Sequence, residues 1–115
     1  MNKPSILSAA AFLVLVLSIP YPSLADDDAK IQARIESWGK ACKNKVAEQF
    51  DVPMSEIYVS VGATVQSSID AGDMTLQDIE KYGLSFNWEV KSSGKMANGY
   101  CNTDAQGNVT EFEQQ

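Results

Sequence analysis

Between Asp28 and Phe50 the apolar residues Ile31, Ile35, Trp38, Cys42, Val46 and Phe50 recur at intervals of three or four. That spacing puts all six on one face of an amphipathic helix, a stripe that has to be buried against another element. One member of the stripe is a cysteine. The only other cysteine of the chain, Cys101, lies far along it in a segment that alternates like a strand. The pair therefore predicts a disulfide that bolts the helix to a sheet. The chain has no histidine, so two cysteines alone would leave a zinc site short of partners.

The first 25 residues explain why the cysteines would be oxidised. Met1 to Ala25 has a polar start with Lys3, an apolar run from Ala9 to Leu17, prolines at 20 and 22, and Ser23-Leu24-Ala25 before three aspartates. This is the layout of a cleaved secretory signal. The apolar run is shorter than the ~20 residues needed to span a bilayer. Cleavage after Ala25 would leave a single α+β domain of residues 26–115, secreted or periplasmic, with no membrane attachment. A domain this small buries only about 60–65 % of its unfolded surface, so a disulfide is a useful fastening.

Residues 26–115 carry all 15 acidic residues and eight of the nine basic ones, a net charge of −7. Such a surface repels phosphate backbones and anionic lipid, which argues against nucleic acid as a partner and favours encounter with a basic protein.

Along the chain, Asp26-Asp27-Asp28 supplies negative charge at the helix start, and Lys40, Lys43 and Lys45 load its second half with positive charge, both as the helix dipole prefers. Asp51-Val52-Pro53 ends it. Glu56 to Gln66 alternates as one strand, with Ile57, Val59, Val61, Ala63 and Val65 on one side, and 67–73 reads as a loop. Thr75 to Gly83 predicts a short capped helix with Leu76, Ile79 and Tyr82 on one face. Leu84, Phe86, Trp88 and Val90 form the inner edge of a second strand, which turns at 92–95. A third strand, Met96 to Thr103, puts Ala97, Gly99 and Cys101 on the helix side, small enough to leave room for Trp38 and Trp88. Residues 104–108 read as a hairpin turn and Val109 to Glu113 as a last strand.

The sum is an N-terminal amphipathic helix lying across a roughly four-stranded antiparallel sheet. Helix-first order with a curled sheet resembles the cystatin-like architecture in outline. The glutamine-x-valine-x-glycine hairpin of inhibitory cystatins has no counterpart in Gly62-Ala63-Thr64-Val65-Gln66, so the resemblance implies a fold and no function.

Chemistry finds little support. Without histidine the usual general base is missing. Ser37 with Lys40 and Ser92 with Lys95 have the spacing of a lysine-activated serine, but the accompanying motifs are absent. Asp70 and Asp73 are a possible carboxylate pair for a small hydrolase. The expectation is a protein that is not an enzyme and needs no cofactor or metal. Residues 102–113 match the calcium loop of an EF-hand at several positions, with glycine at the sixth and Glu113 at the twelfth, which makes calcium binding the alternative function. A hairpin turn explains the same residues. Asn108-Val109-Thr110 is a glycosylation sequon, relevant only in a eukaryote.

The remaining candidate is the sheet face turned away from the helix. Alternation assigns it Tyr58, Ser60, Thr64, Asn87, Asn98, Tyr100 and Asn102, with Tyr58, Asn87, Asn98 and Tyr100 as its binding residues. Tyrosine gives large contact area at low entropic cost and asparagine gives adaptable hydrogen bonding. The sequence thus points to a small exported binding or inhibitor module for a protein partner, as a monomer or, through a free strand edge, a weak dimer.

Overall fold

The computed structural model describes residues 24–115; residues 1–23, and with them nearly all of the expected signal segment, lie outside the described residues. Helix α1 (Leu24–Phe50) is followed by strand β1 (Ile57–Val61), helices α2 (Ala63–Asp70) and α3 (Leu76–Tyr82), and strands β2 (Ser85–Ser92), β3 (Lys95–Thr103) and β4 (Val109–Gln114). The four strands form one antiparallel sheet in chain order.

The stripe on α1 is what packs on the sheet. Ile31, Trp38, Cys42 and Val46 are buried, and Ile35 and Phe50 are half-buried beside them. They meet Ile57 of β1, Phe86, Trp88 and Val90 of β2 and Cys101 of β3. Cys42 and Cys101 are joined by a disulfide with Cα atoms 6.0 Å apart, inside the range such a bond requires. The helix does not stop at Pro53 alone. Asp51 takes a left-handed conformation, φ 53°, and turns the chain before the proline is reached. Asp26 and Asp27 lie in the first turn of α1 as the dipole argument requires, but the last turn holds no basic residue; the three lysines sit further back.

The segment after β1 corrects the sequence reading. The strand ends at Val61, and Ala63–Asp70 is helical where a longer strand and then a loop were expected. β1 can pair only as far as β2 extends, and Val61 already faces Phe86 at its beginning. Beyond that point alternation has no partner strand to reward it. Val65 and Ile69, four apart, instead turn together onto the core, and Gln66 donates to Asp70 at 2.9 Å along the same helix.

Helix α3 has the expected start and stop. Thr75 accepts from the Asp78 N–H while the Asp78 carboxylate accepts from the Thr75 N–H at 2.9 Å, a reciprocal capping box. Gly83 ends the helix at φ 84°, and a Cβ there would lie 1.9 Å from the Thr103 carbonyl oxygen. Leu76 and Ile79 are buried, whereas Tyr82 is exposed and not part of that face. Arg34 of α1 reaches Glu80 of α3 at 2.8 Å; both side chains are well exposed, so this pair is worth only about 0–1 kcal/mol.

At the far end of the sheet, Trp88 sits between Phe50, 5.3 Å away, and Phe112, stacked at 5.1 Å. Gly99 makes room for this indole, as expected, but Trp38 lies against Gly107 of the β3–β4 turn and not beside the Cys101 neighbours. The buried hydroxyl of Thr103 is satisfied by the backbone of Leu84, from whose N–H it accepts and to whose carbonyl it donates.

Candidate functional site

The two hairpins fix which residues share the outer face of the sheet. Ser92 pairs with Lys95 across a turn of Ser93 and Gly94, so Glu89 falls opposite Asn98 and Asn87 opposite Tyr100. Pairing of β1 adds Tyr58 beside Glu89 and Ser60 beside Asn87. Pairing of β4 adds Glu113 beside Tyr100 and Glu111 beside Asn102. Four rows therefore cross the face: Lys91, Met96; Tyr58, Glu89, Asn98; Ser60, Asn87, Tyr100, Glu113; and Ser85, Asn102, Glu111.

All four expected binding residues, Tyr58, Asn87, Asn98 and Tyr100, lie on this face. Tyr58 is 54 % exposed, and Ser60, Asn87 and Asn98 are exposed with it. Tyr58, Ser60, Asn87, Glu89, Asn98 and Gln115 line a shallow depression of about 370 Å³, to which Trp88 and Gly99 also contribute. Thr64 is not there; it belongs to α2.

The carboxylates were missed in sequence. Glu89, Glu111 and Glu113 join the face once the register is known, because the alternation of each strand places them outward and the hairpins bring them beside the tyrosine and asparagine rows. Their partners are few. Ser85 donates to Asn102, whose amide donates to Glu111 at 2.7 Å, forming a polar ladder along the fourth row. Lys91 lies 3.9 Å from Glu89 and 5.1 Å from the Tyr58 ring centre. Tyr100 feels the carboxylates directly. Its phenol is pushed above the ordinary tyrosine range, first by partial burial and then by Glu111 and Glu113, with a hydrogen bond to Glu111. It stays a neutral hydrogen-bonding group at physiological pH.

Charge is distributed unevenly between the layers. Helix α1 holds five acidic and five basic residues, whereas residues 51–115 hold ten and three. Most of that negative excess lies in the connections, where seven acidic residues stand against Lys81, while the four strands carry Glu89, Glu111 and Glu113 against Lys91 and Lys95. The face can accept hydrogen bonds from cationic or amide donors and offers tyrosine rings for contact.

The alternative sites are built differently. Residues 102–113 run from the end of β3 through the turn into β4, whereas an EF-hand loop joins two helices. The Asp104 carboxylate caps its own turn, accepting from the N–H groups of Gln106 and Asn108, each at 2.9 Å. Those bonds hold its pKa below the usual carboxylate range, the Asn108 N–H contributing most. Ser37 and Lys40 are both exposed on α1, and Asp70 and Asp73 are exposed near the end of α2. Among the described residues no three histidine, cysteine, aspartate or glutamate side chains gather as a metal site would need, and no helix is long and apolar enough to cross a membrane.

Comparison with protein-family models, curated proteins and solved structures gives no match.

Proposed function

We propose that the protein is an exported binding module, without catalytic activity, whose outer sheet face receives a basic segment of a partner protein. The observation that carries this reading is the juxtaposition of Glu89, Glu111 and Glu113 with Tyr58, Tyr100, Asn87 and Asn98 on one face. Carboxylates steer a basic partner and set its orientation, while tyrosine rings supply contact area and stack on arginine or lysine. The helix on the opposite layer is charge-balanced, and the three glutamates gathered on one sheet face give a basic segment a place to settle. The paired Cys42 and Cys101 suit an oxidising compartment and support export.

Affinity capture from the secreted or periplasmic fraction, at low and at high salt, tests this with the Glu89→Gln/Glu111→Gln/Glu113→Gln variant in parallel. The expected result is a basic protein retained by the wild-type chain at low salt, released at high salt and not retained by the variant. Equal retention by both proteins, or none by either, would refute the reading.

A further inference from the structure

The sheet has two edges, and they differ in what they offer. At the β1 edge, Val59 lies in a groove with Ile35, Gly39 and Met54, flanked by Glu36, Lys40 and Lys43 of α1. With two lysines against one glutamate, that edge offers a basic strand no net attraction. At the other edge, β4 pairs with β3 on one side, and among the described residues no strand pairs with it on the other.

The register settles which backbone groups of β4 are available. The Gln115 N–H donates to the Asn98 carbonyl at 2.8 Å, so in an antiparallel ladder Glu113 and Glu111 also turn their N–H and C=O groups toward β3. The alternate residues, Phe112 and Gln114, then direct theirs to the open edge. Glu111 and Glu113 project exposed side chains onto the outer face, while Phe112 turns inward and stacks on Trp88. The edge is thus held in place from below and carries carboxylates at the alternate positions 111 and 113 above.

We infer that β4 is an edge on which a partner strand is added, and that the strand it fits has lysine or arginine at alternate positions. This rests on the binding function proposed above and gives it a mode: backbone bonds to Phe112 and Gln114 supply the pairing, and basic side chains opposite Glu111 and Glu113 select the partner. The same carboxylates select against a second copy. An antiparallel β4–β4 pairing centred on Phe112 sets Glu111 of each copy against Glu113 of the other; centring on Glu111 or Glu113 sets that residue against itself. These three registers oppose like charges, a device by which edge strands avoid self-association.

Amide hydrogen exchange on the disulfide-bonded chain tests the inference, using two synthetic peptides of equal composition: one with lysine alternating with threonine and valine, the other with its lysines in one block. The alternating peptide should slow exchange at Phe112 and Gln114 by about tenfold or more and leave Glu111 and Glu113 amides little changed. The Gln114→Pro variant removes an outward N–H without touching the β3 ladder, and should weaken that peptide's binding by about tenfold while keeping the melting temperature. Glu111→Gln/Glu113→Gln should also weaken it and should allow dimers detectable by light scattering. If both peptides bind equally and protect no β4 amide, strand addition is wrong though a basic partner stands; if neither binds, the proposed function falls with it.

Discussion

Trp88 and Gly99 face one another across β2 and β3, and the indole occupies the space that a side chain at Gly99 would need. A Cβ at Gly99 would lie 2.6 Å from Trp88 Cζ2 and 1.9 Å from the Glu113 carbonyl oxygen. Neither neighbour can give way easily, because one is pinned between Phe50 and Phe112 and the other is backbone. Gly99→Ala should therefore cost about 3 kcal/mol or more through overpacking and loosen β4 first. A denaturant melt checks the loss, and exchange of β4 amides at native conditions checks where it begins.

The disulfide is the second test of the fold. Cys42 lies on α1 and Cys101 on β3, both fully buried, 59 residues apart in the chain. Replacing both by serine should cost about 2–4 kcal/mol by releasing the unfolded chain. Because the cysteines come from the two layers, the loss should appear as one cooperative transition at lower temperature rather than as melting of α1 alone. Thermal unfolding with and without reductant measures it.

Thr75 of the α3 capping box should be worth about 1 kcal/mol when replaced by alanine. Asp78 has its pKa lowered, chiefly by the Thr75 N–H, and Asp104 likewise by the Asn108 N–H. A carboxylate whose pKa is depressed by folding stabilises the protein above its unfolded pKa and loses that contribution as pH falls through the folded one. Stability should consequently decline below about pH 4, the ordinary aspartate range. Asp104→Asn should lower stability at neutral pH and make the acid decline shallower; melting curves from neutral to acid pH read both.

Tyr100 reports the charge on the outer face. Its ionisation should come at higher pH than that of an ordinary tyrosine, and Glu111→Gln/Glu113→Gln should bring it down while the part due to burial remains. Ring carbon chemical shifts followed through an alkaline titration distinguish Tyr100 from Tyr58 and Tyr82.

Much of this architecture can be read from the chain because several local signals agree. The stripe on α1, the Thr75 and Gly83 ends of α3, and the alternation of β2 and β3 each demand the element that forms. The Cys42–Cys101 bond follows from placing both on buried faces. The region after Val61 is not legible in the same way: Val61, Ala63 and Val65 alternate, Val65 and Ile69 are spaced as in a helix, and only the length of β2 decides between them. Tyr82 likewise fits the α3 stripe by spacing, yet no element covers it. The candidate face was visible strand by strand in Tyr58, Asn87, Asn98 and Tyr100. Glu89, Glu111 and Glu113 become part of it only through cross-strand pairing, which alternation within one strand does not contain.

The most direct test of the binding account separates the site from general acidity. The alternating lysine peptide is titrated calorimetrically into the wild-type chain and into two variants with equal change of net charge: Glu89→Gln/Glu111→Gln/Glu113→Gln on the sheet face, and Glu36→Gln/Glu48→Gln/Asp73→Asn elsewhere. The account predicts that the sheet-face variant loses affinity by about tenfold or more, and most of its salt dependence, while the control variant binds nearly as the wild type does. Equal loss in both variants would show that bulk charge alone attracts the peptide and would contradict a binding site on the sheet.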